Sequence, residues 1–153
     1  MHTWLLLHYK VPREPSASRV YVWRKLKRIG ALLLHDAIWV LPATPRTKEQ
    51  FQWLAAEISD LEGEAMVWET HLIAGATLSE ESLIQQFTLQ VDTLYAEILA
   101  ALEATPTDLA ALSRKYQQTQ LQDYFHAELG QQVREKLIKV EGGGEEQGGN
   151  KKQ

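Results

Sequence analysis

The stretch KVPREPSASRVYVWRKLKRIGALLLHDAIWVLP, Lys10 to Pro42, constrains the fold of this chain more than any other. Pro12 and Pro15 stop extended structure, and a helical period follows over residues 17–29 with Val22, Leu26 and Ile29, and Trp23 beside them, on an inward stripe. Ser16 or Ser18 is placed to cap that helix, and Gly30 falls at the C′ position that ends it. Ala31 to Leu34 and Ala37 to Leu41 then read as two short apolar strands, with His35-Asp36 as the tight turn between them. A helix with one apolar stripe followed by two apolar strands has to bury that stripe on a sheet.

The flanking sequence extends the sheet. Thr3 to Tyr9 is a strand with large groups on both faces, Leu5, Leu7 and Tyr9 on one and Trp4, Leu6 and His8 on the other. After Pro42, Thr44 or Thr47 caps a second helix with Phe51, Leu54, Ile58 and Leu61 at helical spacing, stopped by Gly63. Residues 64–73 alternate as a strand, giving the order β-α-β-β-α-β. The expected class is α+β, a ferredoxin-like βαββαβ plait over residues 1–73 with both helices on one sheet face. Strands apolar on both sides require a cover for the other face, from a partner subunit or from the rest of the chain.

Beyond an Ala74-Gly75-Ala76 linker, Leu83, Phe87, Val91, Leu94, Ile98 and Leu102 mark a long helix capped by Ser79 and broken by Pro106. Asp108 opens another, with Leu109, Leu112 and Tyr116 early and Leu121, Phe125, Leu129, Val133 and Leu137 later. Residues 79–140 are therefore expected as a C-terminal helical hairpin, packed on the sheet or on a second subunit in a homodimer. The Gly-rich, charged residues 141–153 read as a disordered tail.

Charge is distributed unevenly. Seven of the sixteen Lys and Arg residues and one acid lie between Lys10 and Arg28, a local charge of +6, whereas the rest of the chain carries −10. There is no cysteine, which excludes disulfides, thiolate metal sites and cysteine nucleophiles. The N-terminal apolar run, Trp4 to Leu7, is too short for a signal peptide or membrane span, so a cytoplasmic protein with no membrane association is expected.

The run WLLLHYKVPREPSASRVYVWRKLKRIGALLLHDAIWVLP, with the later LSRKYQQTQLQDYFHAELG, resembles the N-terminal domain of the bacterial chromate-resistance protein ChrB, over about Trp4 to Leu137. An Arg-rich helix, a Gly and an apolar hairpin ending in Leu-Pro is similar, more distantly, to the sheet-and-helix domain of PaaX-type repressors. The resemblance implies a chromate-responsive regulator or accessory of a chromate efflux operon, cytoplasmic and binding operator DNA. Such proteins commonly carry a second, C-terminal domain, and the sequence ends where it would begin; a sensor housed there is expected to be missing.

Three groups of residues are candidate sites. Arg24, Lys27 and Arg28 share a helix face, with Lys25 beside them, Arg19 in the first turn, and Lys10 and Arg13 near one end. That stripe suits phosphate contacts with DNA, or docking of an acidic protein partner, or simple solvation. Ser16, Ser18 and Arg19 at a helix N-terminus suit a tetrahedral oxyanion such as chromate, and equally an ordinary cap. Tyr116, Asp123 and His126 are expected on one side of a helix spanning residues 114–128, as a polar cluster fixing the hairpin rather than a metal site. The five tryptophans are assigned to core packing.

No Gly-rich phosphate loop, nucleophile elbow or paired-carboxylate spacing is present, and no cofactor is expected. Metal-dependent hydrolysis of the kind found in small plait nucleases needs a carboxylate where the first strand ends, here Tyr9-Lys10-Val11. The chain therefore reads as non-enzymatic, with a hydrolase as the weakest of the three functional readings.

Overall fold

The computed structural model describes residues 2–35, 38–75, 78–104 and 107–150, with side chains as far as Gly142. The elements are β1 (Trp4–Lys10), α1 (Ser16–Arg28), β2 (Leu32–Leu34), β3 (Ile38–Pro42), α2 (Pro45–Asp60), β4 (Glu64–Thr70), α3 (Glu80–Glu103), α4 (Leu109–Leu121) and α5 (Glu128–Asn150). They form two compact units, residues 1–86 and 87–153, divided within α3.

The first unit is built around a four-stranded antiparallel sheet in the order β2-β3-β1-β4. Register sets Leu5 and Leu7 beside Leu41 and Trp39 on one side and Glu69 and Val67 on the other, so these side chains share a face. That face carries the helices: Lys48 of α2 pairs with Glu69 at 3.4 Å, and Val22, Leu26, Phe51, Leu54 and Ile58 are buried with Leu5, Leu7, Trp39 and Leu41. The opposite face presents Leu6, His8, Ile38, Val40, Met66 and Trp68. There the Trp68 indole N–H donates to His8 Nε2 at 2.9 Å, and the two rings stack.

Helix ends follow local chemistry. Thr44 caps α2 by accepting from the Thr47 N–H, the Thr44 N–H donates in return to the Thr47 hydroxyl oxygen, and that hydroxyl donates to the Pro42 carbonyl. Gly30 leaves α1 at φ 80, as its position predicts. At the end of α2 the left-handed residue is Glu62, at φ 64, rather than Gly63. Gly63 is instead required by close approach, since a Cβ there would lie 2.4 Å from the Lys10 carbonyl oxygen.

In the second unit, Val91, Tyr95, Ile98, Ala127, Val133 and Leu137 form the core. The expected stripe on α3 is corrected at one position: Tyr95, not Leu94, continues the ladder from Phe87 and Val91 and is fully buried, whereas Leu94 is only partly covered. Asp108 caps α4 through the Ala111 N–H, and Ser79 caps α3 through the Ser82 N–H. The single helix expected after Asp108 is two helices, because the chain leaves helical geometry over residues 122–127 and His126 takes φ 53. Helix α5 runs on over the Gly-rich residues 141–150, the segment whose composition predicts disorder. Asp36 of the expected turn, Ala37 of the expected strand after it, Ala76 of the expected linker and Pro106, the expected breaker, lie outside the described residues.

Candidate functional site

Helix α1 shows how the basic stripe is mounted. Ser18, Val22 and Leu26 are buried at i, i+4 and i+8, which turns Arg19, Val20, Trp23, Arg24, Lys27 and Arg28 outward. No acid lies in its first turn, and Lys25, Lys27 and Arg28 crowd the last, where cations complement the helix dipole.

The outward residues separate into two sides. On one, Tyr9 of β1 meets Ser16, Arg19, Val20, Trp23 and Arg24 around an open groove of about 480 Å³. Trp23 is 50% exposed, and the Lys27 ammonium lies 5.7 Å from its ring centroid. On the other, Lys25 and Arg28 line a narrow cleft against Gln50, Trp53 and Glu57 of α2. Lys25 pairs with Glu57 at 3.9 Å and lies over the Tyr21 ring. The Tyr21 hydroxyl donates to Glu57, which raises its pKa above the ordinary tyrosine range.

Lys25 is thus turned toward α2, whereas Arg24, Lys27 and Arg28 make no ion pair among the described residues. Lys10 sits at the exposed end of β1 opposite Glu64, and Arg13 is exposed in the following turn; neither lines the Trp23 groove.

The expected serine cap of α1 is absent. Pro15 occupies the N-cap position with no side-chain capping bond, Ser18 is buried, and Ser16 is exposed. Proline's fixed φ sets the entry geometry without a hydroxyl acceptor. Arg19 is exposed beside Ser16, so those two residues, without Ser18, face the groove.

The C-terminal polar cluster has different members from those expected. Asp123 accepts from the Tyr95 hydroxyl at 2.9 Å and from the Ala127 N–H at 3.0 Å. Tyr116 joins through its ring, 6.2 Å from that of Tyr95, and burial raises its pKa. His126 is exposed in the connection, because the helix that would have set it one turn from Asp123 ends at Leu121. No group of three His, Asp or Glu side chains among the described residues is placed to hold a metal ion.

The assignment of all five tryptophans to the core is overturned. Trp4 and Trp39 are buried, but Trp23, Trp53 and Trp68 are 50%, 63% and 53% exposed. Periodicity places Trp23 at the margin of the inward stripe, and only packing decides which side of the margin it takes. The interleaving of Trp23 with Arg19, Arg24 and Lys27 was the available signal for a mixed aromatic and cationic surface.

These features define a small α+β domain that displays a cationic, aromatic helix, followed by a helical unit; no described helix is long and apolar enough to cross a membrane. The chain belongs to the family described as Protein ChrB, N-terminal, which matches residues 19–119. Over 107 residues it is 29% identical to Protein ChrB of Cupriavidus metallidurans (strain ATCC 43123 / DSM 2839 / NBRC 102507 / CH34), an alignment covering 70% of this chain and 32% of that protein. The chain therefore spans about a third of the length of that curated relative. No solved structure matches it.

Proposed function

We propose that this chain is a regulatory or accessory protein of chromate resistance that acts in the cytoplasm and contacts operator DNA through α1. The observation that carries this reading is the state of Arg24, Lys27 and Arg28: exposed on one helix, and held in no ion pair among the described residues. In a chain of net charge −4, such a cluster is available to phosphates while the remaining surface repels them. Each phosphate neutralised on duplex DNA contributes about 0.9 to the slope of log affinity against log salt. With Arg19 included, four contacts give a slope of about −3.6.

Titration of a labelled duplex from the upstream region of its own gene, at several salt concentrations, tests this. R24E/R28E is expected to abolish tight binding and to flatten the slope of what remains. Absence of wild-type binding at low salt rejects the DNA reading.

The Trp23 groove favours a second reading. Tyr9, Val20 and Trp23 add apolar surface between the cations, which suits an acidic protein partner. On that reading W23A weakens association more than R28E does, whereas phosphate contact gives the reverse order.

For the effector, we infer an oxyanion of the chromate class held at Arg19 and the Ser16 and Ala17 N–H groups that open α1, the Ser18 N–H being bonded to the Pro15 carbonyl. Millimolar chromate or sulfate is then expected to raise the melting temperature of the wild type and not of R19Q. We assign no catalytic step to the chain. The order β-α-β-β-α-β, with β1 and β3 central, supports reading the first unit as the ferredoxin-like plait.

A further inference from the structure

The strand β4 is an edge. It pairs with β1 along all seven residues, and no other backbone hydrogen bond involves it among the described residues. Natural edge strands are normally blunted by charged side chains, lysine above all, by proline, a bulge or brevity; the two acids of β4, Glu64 and Glu69, each face a lysine of their own unit. The sequence of β4, EAMVWET, contains neither lysine nor proline, and its pairing with β1 runs without a bulge. Two of its side chains on the face opposite α1 and α2, Met66 and Trp68, are 51% and 53% exposed.

We propose that β4 pairs with β4 of a second copy of this chain, antiparallel about a two-fold axis through Val67, joining two four-stranded sheets into one of eight strands. The strand's own sequence selects the second copy as occupant. In an antiparallel pair, opposed residues share a face, so a two-fold axis at Val67 sets residue i against residue 134 − i of the partner. Met66 then lies opposite the partner's Trp68, and Trp68 opposite the partner's Met66, so each half-exposed thioether covers a half-exposed indole.

The same register separates the acids. Glu64 falls opposite Thr70 and Glu69 opposite Ala65, so no two carboxylates oppose one another. Within its own sheet Glu64 is opposite Lys10, and Glu69 is held by Lys48. Shifting the axis to Met66 sets Glu64 against Trp68, and shifting it to Trp68 sets Glu69 against Val67. The Val67 register uses the whole strand and matches its three central residues, Met66, Val67 and Trp68, apolar with apolar, leaving the acids opposite the small Ala65 and the polar Thr70 toward its ends.

Sedimentation and light scattering of the full chain over a range of concentrations test the proposal with two double variants of equal polarity. M66K/W68K sets ammonium against ammonium at both cross-strand positions and is expected to be monomeric. M66E/W68K sets carboxylate against ammonium and is expected to remain dimeric. Circular dichroism establishes that both fold.

A second measurement uses the absence of native cysteine. In E64C/T70C the two thiols of one chain lie about 20 Å apart along the strand, too far for a disulfide within it. Oxidation is therefore expected to give a covalent dimer in the proposed register, while I73C/T70C, with both thiols on the same end, does not form the doubly linked species. A monomeric wild type at all concentrations overturns the proposal. So does a dimer that survives M66K/W68K or fails to cross-link through E64C/T70C.

Discussion

The hydroxyl of Tyr95 on α3 donates to Asp123 Oδ2 across 2.9 Å, and the same carboxylate accepts from the Ala127 N–H just before α5. One side chain thereby fixes both a buried ring and the start of a helix. Asp123→Ala leaves a buried hydroxyl and a backbone N–H without their acceptor, a loss of about 2–3 kcal/mol. Tyr95→Phe removes only the donor and is expected to cost about 1 kcal/mol. Urea denaturation of the two variants measures the difference. Equal losses would assign the effect to the Tyr95 contact alone.

Gly130 packs against the same ring. A Cβ at that position would lie 2.8–2.9 Å from the Tyr95 ring carbon and hydroxyl oxygen, and Tyr95 is 1% exposed with its hydroxyl already tied. In an exposed helix Gly→Ala gains up to about 1 kcal/mol. Here the overlap reverses the sign, and Gly130→Ala is expected to destabilise by about 1–3 kcal/mol. Combining it with Tyr95→Leu should recover part of that loss. A stabilising Gly130→Ala would mean that the ring yields.

The contrast between the two units marks how far sequence reasoning reaches. The β-α-β-β-α-β order is legible because proline, glycine and the change of apolar period are local signals, and Val22 and Leu26 needed no tertiary information. Tyr95 and Asp123 are 28 residues apart, and a tyrosine on an apolar ladder ranks below the neighbouring Leu94 until its hydroxyl finds an acceptor. The position of His126 is illegible for the converse reason. Nothing in residues 114–128 announces the break after Leu121, since Asp123 ends the helix by bonding across the fold. On α1 the cations were legible as a group, but their division by the Glu57 of another helix was not.

Asp92 gives the second unit a pH dependence. Burial, and then the nearby Asp123 carboxylate, raise its pKa above the ordinary aspartate value. An acid with a raised folded pKa binds more protons when folded, so stability falls as pH rises from the unfolded value through the folded one. The deficit persists at neutral pH and disappears in acid, where both states are protonated. Asp92→Asn is therefore expected to raise the urea midpoint at pH 7 and to lose that advantage below the ordinary carboxylate range. An advantage that is constant with pH would assign it to packing instead.

Trp39 in β3 and Trp23 in α1 should respond to the same change to very different degrees. Trp39, 4% exposed, faces the helices between Leu7 and Leu33 in the register of the sheet, and Trp39→Ala is expected to cost about 3–5 kcal/mol. Trp23 is half exposed on α1 and touches Lys27. Its removal forfeits a cation–π contact of about 0.5–1 kcal/mol and little buried area, so the urea midpoint should move only slightly. Affinity separates the two in the other direction. If the face of α1 is where the chain meets its ligand, W23A loses binding with its fold intact, and at a fixed protein concentration its titration curve shifts while its denaturation curve does not. A Trp23→Ala variant that unfolds as readily as Trp39→Ala would make Trp23 part of the core and withdraw the aromatic half of the α1 surface from any binding role.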